Sequence, residues 1–143
     1  MFEKILVATD GSEHGMKAAK AAVELAKLSG GKVTAIYVAD TSRTGHLPDD
    51  MLIFSIRELL LKEGKEAVHQ VEKLAKDAGV NFEMTVAEGN PGSEIISYAE
   101  KSGMDIIIMG TVGRTGLDRF LLGSVAEKVV RNSKIPVLTV PRE

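Results

Sequence analysis

Along this 143-residue chain, short runs that are almost wholly apolar alternate with longer stretches in which apolar residues return every third or fourth position. The runs Ile5-Leu-Val-Ala8, Lys32–Val38, Val80–Val86, Asp105–Met109 and Ile135–Val140 predict five strands. Asp105-Ile-Ile-Ile-Met109 has the uninterrupted apolarity of a strand buried on both faces. Val80–Val86 is a weaker signal, because Asn81, Glu83 and Thr85 alternate with Val80, Phe82, Met84 and Val86. Between the first two strands, Met16, Ala19, Val23 and Ala26 form a stripe of helical period over Glu13–Leu28. Thr9-Asp10-Gly11-Ser12 supplies turn and cap chemistry ahead of that helix, and Gly30-Gly31 stops it. A longer helical pattern opens at Asp49 and runs through Leu52, Ile56, Leu59, Leu60, Ala67, Val71, Leu74 and Ala78 to Gly79. Gly64 interrupts it at about 1 kcal/mol relative to alanine, which so long a helix absorbs or uses as a bend. Asn90-Pro-Gly-Ser93 launches a short helix through Glu100, and Val125–Val130 has helical spacing again. The polar, aperiodic stretch from Asp40 to Pro48 is a loop.

Strands alternating with helices of this length imply right-handed crossovers, and so an α/β fold: a three-layer α/β/α open sheet of parallel strands, here as one domain over residues 1–143. In such sheets ligands lie beyond the carboxyl ends of the strands, where the strand order reverses. Ala8-Thr9-Asp10 at the end of the first strand should therefore meet Met109-Gly110 at the end of the fourth, with Val38-Ala39-Asp40 alongside.

Composition narrows the chemistry. A net charge of −2 with no basic block argues against a phosphate-tracking nucleic-acid surface. The absence of cysteine removes disulfides, thiolate metal sites and cysteine nucleophiles. The N-terminal apolar run is too short for a signal peptide and no stretch is long enough to span a bilayer, so a soluble cytoplasmic protein without a membrane partner is expected. His14, His46 and His69 lack metal-ligand spacing and read as surface residues.

The most informative segment is Gly110-Thr-Val-Gly113-Arg-Thr-Gly-Leu-Asp-Arg-Phe-Leu-Leu-Gly123-Ser124. It joins the fourth strand to a helix start, where glycines let the backbone approach an anion and unpaired N–H groups point at it. A plainer alternative is that Ser124 and Glu127 form a capping box, S-x-x-E. Asp10 has the alternative of a solvated turn residue, and for Asp40 solvation is favoured over a role as ribose ligand. Arg114 and Arg119 suit phosphates or solubility equally. No G-x-x-x-x-G-K-[ST], G-x-G-x-x-G after a strand, or G-x-S-x-G occurs.

Gly110-x2-Gly113-x9-Gly123-Ser124-Val125 resembles the nucleotide-binding signature of the universal stress protein family. Lys4–Ser12 is similar to that family's first strand and turn, and Ser133–Val140 to its last strand, so the resemblance spans the chain. It implies five parallel strands in the order 3-2-1-4-5, an adenine-nucleotide α-hydrolase-like or Rossmann-like sheet. It also implies the ATP-binding branch, since other branches lack these glycines. Carried over residue by residue, it implies that Ala8, Thr9 and Asp10 flank the ribose and phosphates, with Asp10 on the metal side. Val38 and Met109 border the adenine, and Gly110, Gly113, Gly123, Ser124 and Val125 surround ribose and phosphates. Ala8 stands where members often carry proline. The implied cofactor is ATP, or ADP or AMP, with magnesium or manganese. The implied assembly is a homodimer through the last strand, at Val137, Leu138 and Val140.

No nucleophile–base pair or cationic clamp accompanies the glycines, so the expected function is ATP binding with at most slow hydrolysis, as a nucleotide-dependent switch or sensor in the stress response. A dimeric scaffold with a structural nucleotide is the alternative, because an apolar last strand at a sheet edge invites pairing. An adenylyl-transferring enzyme is the weaker one: its glycine loop would follow the first strand, where this chain has only Asp10-Gly11-Ser12.

Overall fold

Five strands lie parallel in the order β3-β2-β1-β4-β5. The computed structural model describes residues 1–42, 49–112 and 122–141. In chain order its elements are β1 (Lys4–Ala8), α1 (Glu13–Ser29), β2 (Lys32–Asp40), α2 (Asp50–Asp77), β3 (Asn81–Gly89), α3 (Pro91–Lys101), β4 (Ile106–Gly110), α4 (Ser124–Asn132) and β5 (Val137–Val140). The implied strand order is the observed one.

Side chains alternate across a strand, so the apolar runs of β1, β2 and β4 feed two cores. Ile5, Val7, Val33 and Ile108 are buried with α1 and α2, whereas Leu6, Ile36 and Ile107 are buried with α3 and α4. These central strands are sealed on both faces, as their sequence requires.

Three helices open with a side-chain cap. Ser12 accepts the Gly15 N–H, Asp49 the Met51 N–H and Asn90 the Ser93 N–H. Gly30 at the end of α1 sits at φ 71°, a left-handed conformation that glycine adopts without strain. β2 and β3 run further than the sequence pattern, because their ladder continues to Asp40 opposite Gly89. β5 starts at Val137 instead of Ile135: the Pro136 carbonyl still accepts the Ile107 N–H, but the ladder of residues begins one position later.

Two features of α2 depart from the periodicity. Gly64 is a close approach: a Cβ there would lie 2.5 Å from Cδ1 of Tyr37. Leu52 and Leu59, which share the apolar repeat of the helix, face solvent, and full burial in α2 starts only at Gly64.

Candidate functional site

At the β1/β4 junction, where the chain reverses its direction of winding across the sheet, a cleft of about 440 Å³ opens at the carboxyl ends of the strands. Its lining includes Ala8, Thr9, Asp10, Val38, Met109, Gly110, Gly123, Ser124 and Val125. Those are nine of the ten residues anticipated from the sequence; Gly113 lies outside the described residues, as do Arg114, Arg119 and His46.

The β1 wall is held by hydrogen bonds. The Thr9 N–H donates to the Ile36 carbonyl at 3.0 Å, carrying β1 beside β2 into the cleft. Asp10 Oδ1 accepts from both the Ser12 N–H (2.9 Å) and the Ser12 hydroxyl (2.5 Å), while Ser12 Oγ in turn caps α1. One carboxylate oxygen is thus committed to the turn, and Oδ2 has no hydrogen-bond partner among the described residues. Gly15 makes this geometry possible, because a Cβ there would stand 2.9 Å from Thr9 Oγ1 and 3.2 Å from Asp10 Oδ1. Sequence reasoning missed Gly15, which looks like any residue of a helical first turn.

On β2, Ile36, Val38 and Asp40 succeed one another on one face and line the cleft. Asp40 repeats the Asp10 arrangement: its Oδ1 accepts from the Ser42 N–H and hydroxyl at 3.2 and 2.5 Å. Pro91 and Ile95 of α3 add an apolar wall that the sequence reading also missed, although a helix following a parallel strand starts at this end of the sheet. The slab between Ile36, Val38, Ile95 and Met109 is apolar and suits a flat heteroaromatic ring.

The opposite rim is the start of α4. Gly123 occupies the N-cap position (φ −63°, ψ 160°) and brings no side-chain cap, so the capping box anticipated for Ser124 and Glu127 does not form. The helix begins one residue earlier than such a box needs. Its first internal bond runs from the Glu127 N–H to the Gly123 carbonyl at 2.9 Å. The N–H groups of Ser124, Val125 and Ala126 therefore have no acceptor among the described residues, and all three residues line the cleft. Behind them Lys128 lies flush on Gly92 and donates to Asn90 Oδ1 at 3.0 Å, locking α4 against the first turn of α3.

His14 is half-buried, and His69 is exposed and meets Glu72. Among the described residues no cluster of three or more His, Cys, Asp or Glu is placed to hold a metal ion, and no helix is long and apolar enough to cross a membrane.

An open, doubly wound α/β sheet with an uncapped helix start facing its switch-point cleft defines the class. The family model of the universal stress protein family matches residues 1–141, and the chain belongs to that family. It is 46% identical over 142 residues to universal stress protein MJ0531 of Methanocaldococcus jannaschii, covering 99% of this chain and 84% of that protein. Among solved structures it matches hypothetical protein MJ0577, of the same organism, with a TM-score of 0.86 at 32% identity over 100% of this chain and 99% of that one. It also matches a universal stress protein in complex with cAMP, with a TM-score of 0.68 at 26% identity over 97% and 96% of the two chains.

Proposed function

We propose that this protein binds an adenine nucleotide, ATP above the others, and works as a nucleotide-dependent switch in the cytoplasmic stress response. The observation that carries the reading is the α4 terminus: three N–H groups with no acceptor among the described residues, at the positive end of a helix dipole, facing a cleft with an apolar slot at its other side. The base takes the slot between Val38 and Met109, and the phosphates take Gly123, Ser124 and Val125. A structure of a universal stress protein in complex with cAMP supports an adenine nucleotide as the ligand.

Among the described lining residues, Asp10 and Asp40 are the charged ones, and both are acids. A phosphate chain beside Asp10 then calls for a divalent cation, magnesium or manganese, which would share the free Oδ2 with nucleotide oxygens. No nucleophile–base pair lines the described cleft, so Asp10 orients ligand and cation, and turnover is slow or absent. Mass spectrometry of ligand released from purified protein is expected to find ATP, ADP or AMP. No adenine nucleotide there, together with no thermal shift on adding Mg-ATP, would sink the reading.

The scaffold reading has its own support in β5, an edge strand whose Leu138 is 43% exposed. It is compatible with nucleotide binding: Val137, Leu138 and Val140 would pair two copies. Leu138→Asp is then expected to yield monomers in dilute solution by light scattering, and an unchanged dimer would point to another surface.

A further inference from the structure

β1 and β2 end at different heights. β1 stops at Ala8, opposite Ile36, whereas β2 continues to Asp40 with only β3 beside it. Even-numbered residues of β2 turn their backbone groups toward β1: the Lys32 N–H donates to the Glu3 carbonyl, and the Ile36 carbonyl accepts from the Thr9 N–H. Val38 follows in the same period, past the end of β1, and its N–H and carbonyl have no hydrogen-bond partner among the described residues. β2 therefore raises a bare edge beside the cleft. The side chains of these positions point to the α3/α4 side, where Ile36 and Val38 are packed. Asp40 is next on that face, about 6.6 Å further out at two strand residues, and it lines the cleft. Its Oδ1 is held by the N–H and hydroxyl of Ser42, which orients the carboxylate, and Oδ2 has no hydrogen-bond partner among the described residues. Asp40 differs from Asp10 in its strand. It stands on β2, two strands and so about 10 Å from β4 and the phosphate rim that follows it. A cation on the phosphates belongs to Asp10; the base is what lies beside Asp40.

Resting on the adenine-nucleotide reading above, we infer that Asp40 is a specificity-determining residue, whose Oδ2 accepts an N–H of the 6-amino group and so selects 6-aminopurines over 6-oxopurines. In a strand, the carbonyl of a residue lies on the C-terminal side of its N–H. A purine edge laid against Val38, with N1 accepting from the N–H, thus brings its 6-substituent to the carbonyl, on the Asp40 side. Two acceptors, the Val38 carbonyl and Asp40 Oδ2, then converge on that substituent. An amino group has two hydrogens and satisfies both. A 6-oxo group has none and meets two oxygens, one of them charged, which is a repulsive element against the wrong base.

Isothermal titration calorimetry of the full-length chain with magnesium tests this with ATP, inosine triphosphate and purine riboside triphosphate, which keeps N1 and lacks the 6-substituent. The native chain is expected to prefer ATP over inosine triphosphate by at least about tenfold. Asp40→Asn keeps an oxygen for Ser42, so the turn is retained, and sets an amide N–H where Oδ2 stood. Its preference for ATP over each of the other two nucleotides is expected to fall by at least about fivefold, because a donor now faces the 6-amino group. The ratio is the readout, since a merely structural loss would weaken all three nucleotides alike. ATP binding with unchanged ratios in Asp40→Asn overturns this inference and leaves the nucleotide reading standing. An equal loss for all three does the same, and assigns Asp40 to the ribose or to the loop. A native chain that binds ATP and inosine triphosphate equally well also overturns it. Uptake of none of the three removes the nucleotide reading, and this inference with it.

Discussion

The Gly123 N–H donates to the Thr111 carbonyl oxygen at 2.6 Å, so the last turn beyond β4 and the residue that starts α4 are fastened to each other. The Thr111 N–H in turn donates to the Val140 carbonyl at 3.2 Å, tying the same point to the end of β5. With its own N–H engaged, Gly123 leaves the next three amides of α4 as the donors that face the cleft. Gly123 also lines the cleft, so a side chain added there would stand at its wall.

Replacing Gly123 with leucine is therefore expected to lower affinity for ATP at least tenfold. The N-cap backbone is at φ −63°, accessible to any residue, so the urea midpoint should change little. Isothermal titration calorimetry paired with urea unfolding checks both. Full ATP affinity in this variant would remove α4 from the site.

Asp10→Asn keeps an oxygen that can accept from Ser12 and removes the charge of the free one. Stability is expected to fall by no more than about 1 kcal/mol, the worth of weakening one hydrogen-bonded turn. Affinity for ATP with magnesium should fall, while affinity measured in EDTA stays level or rises. Equal losses in both conditions would make Asp10 a structural residue alone.

Gly64→Ala sets two effects against each other. Alanine is better in a helix interior by about 1 kcal/mol. Its Cβ, however, would stand 2.5 Å from the Tyr37 ring, and overpacking of that kind costs roughly 1–3 kcal/mol. The net expectation is destabilisation by about 1 kcal/mol, with ATP affinity little changed because the Tyr37 ring packs with α1 and α2 on the strand face opposite Ile36 and Val38. A variant more stable than the parent in urea would show that the ring moves aside freely.

Arg57 holds the Glu88 carboxyl below its ordinary value of 4.5, chiefly by hydrogen bonding. A depressed folded value means that the ion pair contributes above the unfolded value and is lost as pH falls through the lower, folded one. Both side chains are partly exposed, so the effect on global stability is small. The expected readout is local. The protection factors of amides in residues 50–60, each rate divided by its intrinsic rate at the same pH, should fall more between pH 6 and pH 3 in the native protein than in Glu88→Gln, which has already lost the pair. Identical pH dependence in the two would mean that the pair does not hold this half of α2.

Local sequence carries a large part of this molecule, because strand and helix signals are short-ranged. Ile5–Ala8 and Asp105–Met109 read as buried strands since apolar residues stand at consecutive positions, and Ser12, Asp49 and Asn90 read as helix starts since a cap acts within three residues of itself. Gly110 and Gly123 of the glycine segment after the fourth strand line the cleft, since both stand next to the ends of short-range elements, a strand and a helix, that the sequence marks. Tertiary structure alone decided what depends on residues far apart in the chain. Gly15 and Gly64 look like helix blemishes until the end of β1 and the Tyr37 ring stand over them. Ser124 resembles a cap until the Thr111 carbonyl takes the preceding amide and puts Gly123 in that position. Pro91 and Ile95 join the site only because α3 starts where the switch point opens. The apolar repeat of α2 shows the period of the helix, but the phase and extent of its burial are set by where the sheet ends, which leaves Phe54 and Leu59 in solvent.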